Sequence, residues 1–441
     1  MSGPDAAEAD LQSLSSQAPA VVMAMLVDPV RTTLLNHLAL LFRQVGAGEP
    51  LILCLDLPGR AVDRMATGYG EAGETHSLVR ALLGRCGFNL SPWPQTQPPA
   101  AGSAPPEAAC SGVWLCERAA QVPRWSLRHV RESDFSSFAA LFAQVFGHAI
   151  SLDLWCWKYA DGRGCAIAAW RDDDLVAHYG GSLRRILAFG RPIRALQVCD
   201  AMVAPRERAV MTKTGVMFQL TAAFLELYQG LIGIPLAYGF PNRRAMRLGE
   251  RLGFYAEVGV LRELRWPAQG RGPRLESRVR FVNGDDAADR LVVRQLWERM
   301  AADLADALVG VRDWEFLRQR YVEHPERRYR LVLVRTRLSG TPLGLMILHQ
   351  EQSRLALTDL VAPLRHIPRL LVQARRLAGL WGCGSLYTWI TRQHSWRFRT
   401  PDMEEVDIEV SIPTNVWVTQ PYSPPQLSDR WWLMPGDTDF L

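Results

Sequence analysis

The amino-acid sequence predicts a mixed α/β (α+β) protein of more than one domain, on three observations. Near the start, apolar strand-like runs alternate with amphipathic helical stretches. A block of alternating strands and helices follows, with turn residues between its strands. A third block then repeats strings of the second at matched spacing. At 441 residues the chain is also too long for one ordinary core, so two or three domains are expected.

Residues 1–19 read as a flexible lead-in. "AVVMAMLV" then reads as a buried strand, "TTLLNHLALLFRQVG" as an amphipathic helix, "EPLILCLDLPG" as a second buried strand and "THSLVRALLGRCGF" as a helix with a glycine stop. A Pro/Ala-rich stretch, "SPWPQTQPPAAGSAPPEAA", is a long loop or linker, and "GVWLCERA" supplies one more short strand. From Ala20 to Ala119 this order resembles the C-terminal half of a class I methyltransferase, which makes the stretch a partial Rossmann-like segment ending in an antiparallel strand. The glycine-rich methionine-binding loop of that family belongs on an earlier strand, which no residues here supply. The resemblance therefore implies a half-domain kept for packing.

From Arg124 the pattern changes. "RWSLRHVR" alternates as a strand, and "ESDFSSFAALFAQVFG" follows as a helix with Ser133 and Asp134 as candidate N-caps. "LDLWCWKYA" is a short aromatic helix. Three strands come next, with turns at Asp172 to Asp174 and at Gly190 to Pro192. A helix from about Gly215 to Tyr228, the strand "IPLAYGF", the helix "NRRAMRLGERLG" and the strand "AEVGVLRELRW" complete a unit over residues 124–268.

Residues 276–441 look like a divergent repeat of that unit. Trp314 and Asp359 stand the same 45 positions apart as Trp155 and Asp200, and "TDLVAP" answers "CDAMVAP". The interval after Pro363 is shorter than that after Pro205, and the missing part is the loop that would carry phosphate chemistry. This block is expected to lack a coenzyme site of its own. Trp431 and Trp432 are expected to seal its last strand, and Asp437 and Asp439 to reach the cleft between repeats.

Composition is globular, with 48 % hydrophobic and 22 % charged residues. A net charge of +5 calls for neither a nucleic-acid partner nor an anionic membrane. Only two of the 50 basic residues are lysines, Lys158 and Lys213. Eight scattered cysteines give no metal-ligand or disulfide pattern. No apolar run approaches the ~20 residues of a membrane span, and the N-terminus shows no signal pattern, so a cytoplasmic location and no metal are expected.

The chemistry concentrates in "CDAMVAPRERAVMTKTGVMFQLTAAFLELY". An apolar strand ends at Pro205, and a loop with Arg206, Arg208, Thr212, Lys213, Thr214 and Gly215 opens a helix. Backbone N–H groups and a positive helix end would bind a pyrophosphate there, with the cations neutralising it and the threonines donating. A basic surface loop with ordinary caps is the other reading of the same residues.

This loop, together with "YGFPNRRAMRLGERLGFY", resembles motif A and the later "GFPN" segment of the GNAT acyltransferase superfamily, over about 140 residues. The family usually has glycine where Ala209 stands. The resemblance implies acetyl-CoA or another acyl-CoA as cosubstrate, with backbone groups near Met202, Val203 and Ala204 bonding the pantetheine amides and polarising the thioester. Asn242 would touch the pantetheine arm, and it also fits a plain helix cap. Asp200, on the strand that usually carries the base, is the first candidate for that role, with His178 and Tyr179 on the preceding hairpin. The match of Asp200 to Asp359 allows a structural role instead. Gly249 occupies the family's tyrosine position, and Tyr255 is the candidate substitute acid. Trp155, Trp157 and Tyr159 line the acceptor cleft or pack the core. The expected activity is N-acylation of a primary amine on a small molecule or sugar. The alternative is a non-catalytic acyl-CoA sensor or scaffold.

Overall fold

The apolar runs of the N-terminal stretch pair as strands because only a sheet satisfies their backbone groups away from water. The computed structural model describes residues 21–26, 32–48, 50–56, 72–90, 112–208, 212–270, 276–282 and 286–438. Two compact units draw on them, one from residues 1–182, 200–234 and 417–419, the other from residues 183–199, 235–416 and 420–441.

In the first unit, strands β1 (Val21–Leu26), β2 (Pro50–Asp56), β3 (Phe88–Leu90) and β4 (Gly112–Arg118) form a sheet ordered β1-β2-β4-β3. β1 and β2 are parallel, and β4 runs antiparallel to both its neighbours. Helix α1 (Leu34–Gln44) buries Leu34, Leu35 and Leu38, while α2 (Ala72–Arg85) leads to Gly87 at φ 88°, the stop expected of that glycine. The Pro/Ala-rich stretch lies outside the described residues.

The same unit continues with β5 (Ser126–His129), α3 (Phe135–Phe146), α4 (Leu152–Tyr159) and β6 (Gly164–Arg171). Asp134 does not cap α3 forwards. Its carboxylate accepts from the Arg131 amide at 2.8 Å, so it closes the turn before the helix. α4 is capped by Ser151, which accepts from the Leu154 amide. β7 (Asp174–Ala188) and β8 (Arg191–Val203) are long, and each contributes residues to both units. Their connection places Phe189 and Gly190 at positive φ, the backbone a tight hairpin demands. After β8 come α5 (Val216–Leu225) and a wider π-helical turn, Glu226–Leu231, where a single helix was expected.

In the second unit the expected strand "IPLAYGF" shrinks to β9 (Ala237–Tyr238), which pairs parallel with β8 at Leu196 and Gln197 only. α6 (Arg243–Leu252) ends on Gly253 at φ 82°, and β10 (Tyr255–Pro267) follows. Next come β11 (Ser277–Val282), α7 (Ala287–Asp303), β12 (Leu308–Gly310), α8 (Trp314–Leu317), β13 (Arg330–Thr336), β14 (Pro342–Glu351), β15 (Arg354–Val361), α9 (Ile367–Leu380), β16 (Ser385–Thr391), β17 (Glu404–Asn415), α10 (Pro424–Leu427) and β18 (Trp431–Trp432). β10 lies between β16 and β17, antiparallel to both, and β17 pairs in turn with β9. A strand from the second sequence block is thus interleaved with strands from the third. Trp431 and Trp432 pair with β12, and Trp431 packs on Tyr238 at 4.5 Å between ring centres.

β15 and β16 run parallel for three rungs, the last being Ala356 with Tyr387, and β15 continues to Val361. The segment 431–438 enters where their ladder stops. Gly436 lies so close to the Tyr321 hydroxyl and the Thr358 carbonyl that a Cβ there has no room. Arg320 donates to the carbonyls of Gly436 and Thr438. Asp437 does not reach a cleft between repeats. Its carboxylate accepts from Arg312 at 2.5 Å, deep in this unit's core, and Asp439 lies outside the described residues.

Candidate active site

The loop after β8 and the start of α5 form the anion-binding candidate. Gly215 is the N-cap of α5, with extended backbone and no side-chain cap, so the first-turn amides carry the helix's positive end without an internal acceptor from a capping side chain. Thr212, Lys213 and Thr214 are exposed beside it. The Thr212 and Thr214 hydroxyls bond each other at 2.9 Å, and Gln219 donates to the Lys213 carbonyl, which fixes the turn but not the lysine side chain. Ala209 lies outside the described residues.

The three cations of the loop are not equivalent. Arg206 pairs with Asp174 at 2.6 Å, both side chains being exposed. Arg208 donates through Nε to the Val203 carbonyl at 2.9 Å, its one partner among the described residues, and a guanidinium has further N–H donors. Glu207, between them in sequence, is buried and held by Arg124 and Arg171. That anchor was not legible in the sequence, because both arginines come from other strands or loops.

β8 is the second part. Its pairing with β9 ends at Gln197, yet the strand continues to Val203. The Ala204 amide donates to the Val176 carbonyl of β7 at 2.8 Å, so it is not one of the groups left for a pantetheine arm. Strand alternation turns Val203 the other way, as its carbonyl bond to Arg208 also requires. Met202 is buried.

Asp200 sits inside β8 with φ 48°, a left-handed backbone that a non-glycine residue adopts at a cost. Its carboxylate is buried and both oxygens are engaged. Lys158 donates to Oδ1 and Tyr159 to Oδ2, each at 2.6 Å. Burial pushes its acidity down, but the Lys158 ammonium and the two hydrogen bonds outweigh it and hold the carboxyl below the usual range. The expected role of Asp200 as general base is therefore corrected. A carboxylate with both oxygens occupied and a lowered pKa is a poor proton acceptor. His178 donates through Nδ1 to the Asp200 carbonyl at 2.7 Å, and burial lowers its pKa to about 4, so it is neutral. Trp155 and Tyr159 pack with Phe138, in the core rather than on an open surface.

In the second unit, the Asn242 side-chain oxygen Oδ1 accepts from the Ala245 amide at 2.9 Å and caps α6. Gly249 is buried, and the Tyr255 ring lies directly over it, in the space where a side chain at 249 would begin. Among the described residues no three His, Cys, Asp or Glu side chains are placed to hold a metal. No described helix is long and apolar enough to cross a membrane.

A strand with an open edge, followed by an uncapped helix start, is the local arrangement expected of the GNAT resemblance. Residues 126–256 match the family described as an acetyltransferase (GNAT) domain. This stretch is a GNAT acetyltransferase domain. No curated protein matches the chain. The fold is similar to that of a conserved protein of unknown function from Enterococcus faecalis V583, described as a probable N-acyltransferase, at 9 % identity and TM-score 0.51, covering 67 % of this chain and 72 % of that one. It is also similar to a GCN5-related N-acetyltransferase from Anabaena variabilis ATCC 29413, at 11 % identity and TM-score 0.50, covering 66 % and 73 %. At such identities the likeness concerns the GNAT fold alone.

Proposed function

We propose that the chain is an acyl-CoA-dependent N-acyltransferase, most simply an acetyltransferase, which acylates a primary amine of a small molecule or sugar by direct attack. The observation that carries this reading is the uncapped start of α5 directly after the open-edged end of β8, inside a GNAT domain. The α5 amides, Thr212, Thr214, Lys213 and Arg208 would hold the diphosphate. The outward-facing amide of Val203 would polarise the thioester carbonyl. Asn242 and Tyr255 keep the roles the resemblance implies, along the pantetheine arm and as acid for the leaving thiolate. That thiolate, with an intrinsic pKa near ~8.5, needs an acid only modestly.

We also read residues 276–441 as a degenerate GNAT-like repeat of residues 124–268, and residues 20–119 as half of a class I methyltransferase sheet. The antiparallel strand β4 supports the second reading. The half-sheet has a packing task. Arg85 of α2 grips Glu226 through two N–H groups, at 2.9 and 2.8 Å, and donates to Gln219 at 2.6 Å, which steadies α5 behind its anion-binding end. The expected cytoplasmic location belongs to the same reading.

A thermal-shift titration with acetyl-, propionyl- and longer acyl-CoA tests the proposal. Ligand at ~100-fold Kd should stabilise the protein by about 2.7 kcal/mol. No shift with any thioester would sink the coenzyme reading. Replacing Arg208 and Lys213 together by alanine should abolish the shift at the same concentration, and its survival would place the diphosphate elsewhere. The engagement of Asp200 favours the sensor alternative, for which the expected result is a shift with no transfer to any amine in a panel.

A further inference from the structure

Asp200 is fixed at three points. Its carboxylate oxygens are taken by Lys158 and Tyr159, neighbours on the last turn of α4, and its carbonyl by His178 Nδ1 from β7. A carbonyl only accepts, so that ring nitrogen carries the proton, and Nε2 has no hydrogen-bond partner among the described residues. The enclosure is tight. A Cβ on Gly164 would stand 2.7 Å from the Tyr159 ring, and one on Gly180 would strike both the Tyr159 hydroxyl and the His178 ring. Two glycines therefore make room for the tyrosine that reaches the aspartate.

Three contacts on one residue are more than a strand needs to hold a side chain, but they fit a residue whose backbone resists its own position. A left-handed residue persists in a strand only where its surroundings over-determine it. Lysine itself is a further sign. In a chain whose cations are otherwise almost all arginines, one of the two lysines stands here, a compact ammonium on the Asp200 carboxylate. A left-handed residue also reorients the peptide groups that follow it, here Ala201 to Val203 within the part of β8 beyond its last rung with β9 at Gln197.

The geometry points to Lys158, Tyr159 and His178 as positioning residues, which lock Asp200 into its left-handed backbone and thereby aim the following β8 amides at the thioester carbonyl. This rests on the acyl-CoA reading above and gives Asp200 an architectural task in place of a proton-accepting one. Side chains at 200 then matter through the backbone they tolerate. Glycine adopts positive φ freely, asparagine does so readily and still bonds its neighbours, and a β-branched residue does neither.

The test uses acetyl-CoA labelled with carbon-13 at the carbonyl, bound to the full chain, with the carbonyl stretch read by isotope-edited infrared spectroscopy and the Kd by calorimetry. The parent protein is expected to shift the stretch to lower frequency than in water. Asp200→Asn and Asp200→Gly should keep that shift. Asp200→Val should lose it while still binding acetyl-CoA within about tenfold of the parent, because Lys213 and the α5 amides are held apart from β8 and only Arg208 is anchored on it, through Val203. Transfer to any accepted amine should fall on the order of 100-fold in Asp200→Val, the usual loss for a misdirected oxyanion donor, with kcat and not KM affected. A folded Asp200→Val protein with the parent's carbonyl band would overturn the inference. So would an Asp200→Asn protein that keeps band and affinity yet loses transfer, since that pattern marks a base. If Asp200→Val does not fold, the double variant Lys158→Met with Tyr159→Phe decides by the same band, which must be lost. Failure of the parent to bind acetyl-CoA at all would overturn the coenzyme reading and this inference with it, a result distinct from binding without polarisation.

Discussion

Asp200 and Asp359 stand at matching places in two similar stretches of sequence, both are buried on a central strand, and a tyrosine hydroxyl bonds Oδ2 of each, from Tyr159 and Tyr321. Their cations differ in kind and in purpose. Lys158 pairs with Asp200, and the carboxyl is held below its usual range. Arg312 is shared between Asp359 and Asp437, and burial together with the second carboxylate holds Asp359 above it, against the pull of the arginine. Around Asp200 the strand keeps an open edge and a left-handed residue. Around Asp359 the corresponding space is filled by the segment 431–438. On the proposed reading, one framework is finished in two ways, the first leaving backbone groups for a ligand and the second satisfying them from within the chain.

The sharpest way to break this comparison is at the shared cation. Arg312→Met leaves two carboxylates buried without a counter-charge and should cost about 3–5 kcal/mol in urea unfolding. Coenzyme affinity of the folded fraction should be unchanged, and a loss of affinity would show that the filled region still serves the site.

Acid should act next, on histidines whose pKa burial lowers in both units, as the first unit shows. Burial lowers His129 to about 3 and His178 to about 4, both in the first unit. The unfolded rings take protons near ~6.5, so their contribution is complete above that pH and declines as pH falls towards the folded values. Between pH 6.5 and 5 each ring should cost about 2 kcal/mol, read as proton uptake on unfolding. A flat stability profile over that range would mean that water reaches them.

How much of this was legible follows from what each part depends on. The helices and long strands were readable because their patterns are local, down to the turns at Asp172 and Gly190 and the stop at Gly253. β9 was misjudged at seven residues, since an apolar run does not reveal that its partner strand diverges after Gln197. The interleaving of β10 between β16 and β17 was equally hidden, as it pairs residues more than a hundred positions apart. Within the candidate site, the loop residues stand out in the sequence by type and spacing. The tether on Asp200 was not, because Lys158 lies 42 positions earlier on a helix read as aromatic packing. The wedge at Gly436 left only a proline–glycine pair to suggest it, which reads as an ordinary turn.

That wedge gives the third test. Gly436→Ala forces a methyl group against Tyr321 and should cost about 1–3 kcal/mol by thermal melting, with coenzyme binding intact. A neutral result would mean that the segment is loosely seated. The smallest effect is expected at Arg206, whose exposed pair with Asp174 makes it the least available cation of the loop. Arg206→Ala should change stability by less than about 1 kcal/mol and acetyl-CoA affinity by less than about threefold, against abolition by the Arg208 and Lys213 pair. Equal effects from all three would remove the distinction drawn among them.

The bond from Arg312 to Asp437 spans 125 positions. During synthesis the arginine emerges long before its second acid, so β12, β15 and Tyr321 cannot reach their final packing until residues 431–438 have been made. This ties the assembly of the second unit to a late event, and contacts of such long range slow folding more than they weaken the finished state. A nascent chain stopped short of that segment would hold an Arg320 without its carbonyl acceptors, an Arg312 with one of its two acids missing and an unfilled apolar slot, features by which quality control recognises an unfinished protein.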